Sequence, residues 1–254
     1  MSGKQLKTLF TNFPFQIISG IPDSTLIRNI VADSRLIQEG DLFIATRGDH
    51  FNAHRFIPQA IKKGCSAIVG MEPSIQVDVP YIQVVNSRRA LAHISAAFYD
   101  FPARSVNMIG VTGTDGKTTT CFLIYEILKT AGFNVGMITT LNAVIGDTKL
   151  DTGFHVTTPD SPEVQKYLSM MVGEGVSHVI LETTSHGWAQ FRVDACEFDI
   201  GVVTNITHEH LDEHESYENY IASKARLFES LQFTRHKEFG NPNLAILNMD
   251  DQSY

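Results

Sequence analysis

Apolar runs of strand length alternate along this chain with longer segments of helical period. That alternation leaves few folds open. The run SHVILE at 177–182 is representative. Its consecutive apolar residues would point to both faces of a strand, so both faces must be covered. A mostly parallel sheet flanked by helices meets that demand. Residues 106–111, 134–139, 177–182, 198–204 and 243–248 read as strands of one such sheet. Residues 118–131, 162–172 and 217–231 read as its helices, the first closed by Gly132. Upstream, 41–45 (DLFIA), 66–69 and 81–85 read as short strands. Residues 54–63 (HRFIPQAIKK) read as a helix stopped by Gly64. Residues 88–99 read as another, with Ala90, Leu91, Ile94, Ala97 and Phe98 at helical spacing. The stretch Asp100-Phe101-Pro102-Ala103 breaks the pattern. It divides an α/β domain at 1–103 from a second, mostly parallel α/β domain at 104–254.

Composition narrows the function classes. Of the 254 residues, 43% are apolar and 19% charged, a globular balance with no low-complexity segment or internal repeat. The formal charge is -8, with no basic run. Duplex nucleic acid is a poor partner for such a chain, because its affinity comes from neutralising phosphates. Small phosphate ligands need only local donors and stay open. Cys65, Cys121 and Cys196 are far apart in the sequence and form no C-x-x-C, which fits a reducing compartment. The first twenty residues lack the apolar core of a signal peptide, and no run is long enough to span a bilayer. The expectation is a soluble cytoplasmic protein without membrane insertion.

The strongest local signal is Gly110-Val111-Thr112-Gly113-Thr114-Asp115-Gly116-Lys117-Thr118-Thr119-Thr120. It follows a predicted strand and opens a predicted helix, the context of a phosphate-binding loop. Glycines let the backbone curl so that amide N–H groups face one point. The helix N-terminus adds partial positive charge. Lys117 can reach the β- and γ-phosphates, and Thr118 can place a hydroxyl on Mg²⁺. The common G-x-x-x-x-G-K-[ST] pattern has glycine where Val111 stands.

Two strand ends carry further polar groups. Glu182 closes the strand at 177–182, where ligands of open α/β sheets bind, and could hold a phosphate-bridging metal. After the strand at 198–204 comes Asn205, and then His208, Glu209, His210, Asp212, Glu213 and His214. Three readings stay open there. His208-x-His210-x-Asp212 resembles the start of a zinc-hydrolase motif, with Glu213 where histidine would follow. The segment could instead supply a Mg²⁺ ligand beside a nucleotide, or be an exposed polar loop. Thr157-Thr158-Pro159-Asp160 reads as a loop and helix cap. Lys224, on a predicted helix, reads by itself as part of a solvated face.

Taken in order, these residues resemble the Mur ligase family, and within it the branch that forms the UDP-muramoyl-tripeptide. The resemblance runs from about Val31 onward. Ala32-Asp33-Ser34-Arg35, Gly40–Ala45 and Gly48 look like the opening of a UDP-binding domain, and His54 and Phe56 match a later stretch with Ala53 replacing glycine. The loop at 110–120 matches the ATP loop, with Asp115 where asparagine is usual. Glu182-Thr183-Thr184-Ser185-His186 with Gln190 and Arg192, then Thr204-Asn205-Ile206 with His210-Leu211-Asp212, match two further signatures, Glu209 replacing aspartate. Tyr220 and Lys224-Ala225-Arg226-Leu227-Phe228 match the last.

The resemblance implies roles. Gly113, Thr114, Asp115, Gly116, Lys117, Thr118, Thr119 and Asn205 would contact ATP. Thr118, Glu182, His210 and Lys224 would hold two Mg²⁺ ions, Lys224 as a carbamate. Lys117, Lys224, Glu182 and His210 would form the catalytic set. Ser34 would touch the uridine nucleotide, and Thr157, Thr158, Ser185 and Arg192 the muramoyl peptide. The implied reaction is ATP-driven amide formation. It adds the third amino acid to UDP-MurNAc-L-Ala-D-Glu through an acyl-phosphate, on a monomer, in peptidoglycan synthesis. A non-catalytic module that binds a nucleotide or UDP-sugar is the alternative, and a zinc hydrolase using His208, His210 and Asp212 a further one. Asp115 would bring an extra negative charge near the phosphates unless it faces away. Against the family pattern, the second domain reads as C-terminally incomplete, so activity of the chain alone stays an open expectation.

Overall fold

The computed structural model describes residues 3–48, 51–73, 75–146, 148–150, 158–207 and 216–251. The chain divides into two compact units between Asp100 and Phe101, slightly ahead of the expected boundary after Ala103. The physical reason is that Ala103 is buried in the core of the second unit.

The first unit runs through β1 (Lys4–Gln5), α1 (Leu6–Leu9), β2 (Ile17–Ser19), β3 (Leu26–Ile27), β4 (Asn29–Val31), β5 (Asp41–Ile44), α2 (Ile57–Lys62), β6 (Ala67–Gly70), β7 (Tyr81–Val84) and α3 (Ser87–Phe98). Among the described residues its main sheet has the order β2-β7-β6-β5-β4. The strands β4 to β7 are parallel, and β2 pairs antiparallel with β7 at one edge. A separate antiparallel ribbon joins β1 to β3. The helix expected over 54–63 is split. A 3₁₀ turn at Ala53–Phe56 precedes α2, and Pro58 lies at the helix start. A continuous helix would force the Pro58 ring against the His54 carbonyl and leave Pro58 without an N–H to donate, so the helix begins at Ile57. Asn86 caps α3, its side chain accepting from the Arg88 and Arg89 amides at 3.0 Å each.

The second unit contains β8 (Asn107–Thr112), α4 (Lys117–Thr130), β9 (Val135–Ile138), β10 (Ala143–Ile145), β11 (Thr148–Leu150), α5 (Ser161–Gly173), β12 (His178–Glu182), α6 (Ser185–Ala189), β13 (Ile200–Val203), α7 (Tyr217–Leu231) and β14 (Leu244–Ile246). Its sheet order is β11-β10-β9-β12-β8-β13-β14 among the described residues. From β9 to β14 the pairing is parallel, and β10 and β11 add an antiparallel hairpin at the β9 edge.

Both faces of this sheet are buried, as the apolar runs require. On one face Met108, Val179 and Leu181 pack against Val164, Leu168 and Met171 of α5 and Leu227 of α7. On the other, Ile109, Val111 and Ile180 pack against Cys121 and Tyr125 of α4. Neighbours in sequence thus serve opposite layers, as strand alternation dictates. Gly110 lies in β8 under α7, and a Cβ built on it would sit 2.5 Å from Leu227 Cδ1. At the opposite end of the strands, Asp199 and Lys237 form a buried ion pair. Asp199 also accepts from the Met108 amide at 2.7 Å, and Lys237 donates to the Val106 carbonyl at 2.8 Å. Burial pushes the Asp199 carboxyl up and the Lys237 amine down from their ordinary ranges.

Candidate active site

The glycine-rich loop leaves β8 and enters α4 as expected. Gly113 (φ 147°) and Gly116 (φ 74°) carry the two turns in backbone regions that side chains rarely adopt. Val111, at the position of the usual first glycine, is a buried strand residue, so the turn here starts at Gly113. The loop is braced from β13 and the residues after it. The Thr114 amide donates to the Asn205 carbonyl at 2.7 Å, and the Asp115 amide to Asn205 Oδ1 at 3.0 Å. Thr204 Oγ1 and Asn205 Nδ2 both donate to the Asp115 carbonyl, at 2.6 and 3.1 Å. Asp115, Gly116 and Thr119 are exposed at the loop's rim. Asn205 therefore sits against the loop itself.

Glu182 is buried at the carboxyl end of β12. Thr118 Oγ1 donates to its two oxygens, at 2.9 and 3.0 Å, and the Thr140 amide reaches Oε2 at 3.2 Å. A hydroxyl and a carboxylate brought together beside the loop are the hard oxygen donors that suit Mg²⁺. Among the described residues no group of three or more His, Cys, Asp or Glu could hold a metal ion. His208, His210 and Asp212, like Thr157, lie outside the described residues.

Lys224 departs from its reading as part of a solvated face. It is only 2% exposed and donates to the Gly113 carbonyl at 2.6 Å. Tyr220, one turn earlier on α7, places its ring 4.5 Å from Lys224 Nζ, and its hydroxyl is 3.0 Å from Thr114 Oγ1. Tyr220, Lys224, Leu227 and Leu231 recur at helical spacing on the buried side of α7. Lys117 Nζ donates to the Thr114 carbonyl at 2.5 Å. Both lysines thus rest on loop carbonyls. An unmodified lysine has only N–H donors, so Lys224 would hold a cation only after carbamylation.

The peptide-site candidates gather beyond the end of β12. Thr158 Oγ1 is 3.2 Å from Thr184 Oγ1 and donates to the Glu182 carbonyl at 3.3 Å. Arg192 Nη1 donates to the Thr158 carbonyl at 2.6 Å, and Arg192 Nη2 to Gln190 Oε1 at 2.8 Å. Ser185 is buried at the start of α6, and Ser161 Oγ donates to the Arg192 carbonyl at 3.0 Å. Asp160 lies 3.1 Å from Arg192 Nε, a partner that residue spacing did not reveal. Ser34 belongs to the first unit, where its carbonyl accepts from Lys63 Nζ at 3.0 Å.

The glycine-rich loop on a parallel sheet, with a strand-end carboxylate and a buried helical lysine beside it, defines an α/β protein with a candidate phosphate site. The comparisons with known proteins are more specific. The profile described as "Mur ligase middle domain" matches residues 111–254, and "Mur ligase family, catalytic domain" matches residues 26–99. The chain belongs to the Mur ligase family. It is 42% identical over 236 residues to the UDP-N-acetylmuramyl-tripeptide synthetase of Roseiflexus sp. (strain RS-1), covering 91% of this chain and 46% of that protein. It is 38% identical over 247 residues to the UDP-N-acetylmuramoyl-L-alanyl-D-glutamate--2,6-diaminopimelate ligase of Clostridium perfringens (strain 13 / Type A), covering 97% of this chain and 48% of that one. The chain thus spans about half the length of the curated relatives it matches. In fold it is similar to a solved UDP-N-acetylmuramoyl-L-alanyl-D-glutamate--2,6-diaminopimelate ligase, with a TM-score of 0.76, 24% identity, and coverage of 99% of this chain and 48% of that one. MurF from Acinetobacter baumannii follows at a TM-score of 0.66 and 20% identity, covering 99% and 50%. Among the described residues no helix is long and apolar enough to cross a membrane.

Proposed function

We propose that this chain carries the UDP-sugar-binding and ATP-binding portions of an amide ligase that adds the third amino acid to UDP-MurNAc-L-Ala-D-Glu. Residues 1–100 would serve the UDP-sugar and 101–254 the ATP. One observation carries this reading. The loop at Gly113–Thr118 is joined at one side to Glu182 through Thr118 and at the other to Lys224 through Gly113. A phosphate loop, an oxygen-donor site and the family's carbamylation position are thereby assembled around one point.

In the proposed reaction the peptide carboxylate attacks the γ-phosphorus of ATP, ADP departs, and an acyl-phosphate forms. The amine of the incoming amino acid then attacks the acyl carbon, phosphate leaves, and the nitrogen gives up a proton. The loop amides and the α4 N-terminus take the phosphates. Lys117 swings from the Thr114 carbonyl to the terminal phosphates, stabilising charge as it moves. Thr118 and Glu182 would hold one Mg²⁺, and His210 and carbamylated Lys224 a second. Bound Mg²⁺ offsets the repulsion between carboxylate and triphosphate. Asn205 fixes the loop, while Thr157, Thr158, Ser185 and Arg192 hold the peptide and Ser34 the uridine nucleotide. Membership of the ligase family argues against the zinc-hydrolase reading of His208, His210 and Asp212.

Calorimetric titration with ADP and Mg²⁺ tests the nucleotide site, and ADP release in the presence of UDP-MurNAc-L-Ala-D-Glu and 2,6-diaminopimelate tests turnover. Lys117→Ala should weaken ADP binding by about tenfold or more, since it removes a charge-assisted contact. Unchanged binding would overturn the nucleotide assignment. ADP binding without release would favour the non-catalytic module.

A further inference from the structure

Asp160 stands at the N-cap of α5 with extended backbone angles (φ -68°, ψ 153°), yet its side chain makes no capping hydrogen bond. Aspartate at an N-cap ordinarily accepts from the amides of the first helical turn. Here the second helical residue is Pro162, which has no N–H, and the Glu163 and Val164 amides donate to the Asp160 main-chain carbonyl, at 3.0 and 3.1 Å. The carboxylate is turned to Arg192, with Oδ1 3.1 Å from Nε. The two partners differ in freedom. The Asp160 side chain is 63% exposed and that of Arg192 only 13%. Arg192 is also fixed by the Thr158 carbonyl and Gln190 Oε1. The guanidinium is therefore the fixed member of the pair and the carboxylate the movable one.

We propose that Asp160 is an exchangeable counter-ion: it neutralises Arg192 until a ligand carboxylate takes its place, and then turns out into water. The inference rests on the reading of Arg192 as a contact for the muramoyl-peptide. A guanidinium fork recognises carboxylates in a fixed geometry. An anionic peptide must therefore displace Asp160 or approach against its charge. Displacement is cheap, because the Asp160 side chain is already largely in water, and its released carboxylate returns there beside the favourable dipole of α5. Glu163 lies on the same first turn, and its carboxyl is pushed up to about 6 by burial and by the charge of Asp160. With that acid on the first turn, the released Asp160 carboxylate is better placed in water than back on the helix. The device rejects neutral peptides, for which Asp160 need never leave.

Calorimetric titration of the whole chain with UDP-MurNAc-L-Ala-D-Glu decides the matter, using wild type, Asp160→Asn, Asp160→Ala and Arg192→Gln. Asparagine keeps the shape of aspartate but carries no charge with which to compete for Arg192. Asp160→Asn should therefore tighten binding by about threefold to fivefold, the worth of a part-exposed ion pair that no longer has to be broken. Asp160→Ala should tighten binding by a similar factor, since it removes the same charge. Arg192→Gln should weaken binding by about tenfold or more. If Arg192→Gln weakens binding while Asp160→Asn leaves it unchanged or weaker, the exchange is refuted and Asp160 merely positions Arg192. If Arg192→Gln leaves binding unchanged, the reading of the peptide site fails, and the exchange with it.

Discussion

Two glycines of the phosphate loop should respond very differently to the same added methyl group. Gly113 and Gly116 both have positive φ, at 147° and 74°. A Cβ on Gly116 meets nothing within 4 Å, so Gly116→Ala bears only the conformational cost. That cost is about 1 kcal/mol. A Cβ on Gly113 would overlap Thr204 Oγ1 and lie 3.1 Å from the Asn205 carbonyl oxygen, which is bonded to the Thr114 amide. Gly113→Ala therefore adds about 1–3 kcal/mol of overpacking to a backbone cost of about 1–3 kcal/mol. The Thr204 contact with the Asp115 carbonyl would also be strained. A total of about 2–6 kcal/mol follows, against about 1 for Gly116→Ala. For a unit of this size each kcal/mol moves the melting temperature by about 2–4 °C. The losses should be roughly 10 °C and roughly 3 °C. The chain has one tryptophan, Trp188, buried in the core of the second unit, so its fluorescence follows that unit alone. Equal losses in the two variants would refute the argument that Thr204 and Asn205 close the space behind the loop.

Other outcomes follow from the buried polar groups. Lys237→Met should destabilise the second unit by about 3–5 kcal/mol, because it strands the Asp199 carboxylate. The double variant Asp199→Leu/Lys237→Met should recover most of that loss in urea unfolding. In the first unit His54 Nε2 accepts from the Met71 amide at 2.8 Å, so the ring proton is on Nδ1 and is donated to Asn52 Oδ1 at 2.7 Å. Burial holds this imidazole below the ordinary histidine range, the Glu72 charge opposing the shift. Its contribution is then fully present above the unfolded pKa of about 6.5 and is lost as pH falls from there through the folded value. Exchange of the Met71 amide hydrogen, corrected for intrinsic rate, should speed up as pH falls below about 6.5, and a flat profile would contradict it.

The sheet of the second unit was legible in the sequence because its strands are buried on both sides and read as continuous apolar runs. The hairpin β10–β11 was not. Its strands are three residues each, and Thr148-Lys149 is exposed and polar, so no periodicity marks it. The loop, Glu182 and Asn205 were found because they fall at strand ends, a position that topology dictates. Lys224 illustrates the opposite case. Its spacing from Tyr220 and Leu227 fits the buried stripe of α7, but a lysine there reads as solvated unless a partner is known, and the Gly113 carbonyl is far away in sequence. Asp160 and Arg192 are likewise joined only by the fold. In α2 the helical period extended too far, because apolar spacing outweighed the backbone restriction of Pro58.

Gly110 bears on the candidate site without lending it a side chain. Its missing side chain lets Leu227 rest directly on the backbone of β8, which sets the depth at which α7 lies on the sheet. Lys224 is carried by the same helix about one turn before Leu227, and its amine inherits that depth. A floor higher by a single methyl would lift the amine away from the loop that begins three residues after Gly110. The glycine works as a spacer of zero thickness, and the reach of the Lys224 nitrogen is calibrated by an atom the protein leaves out.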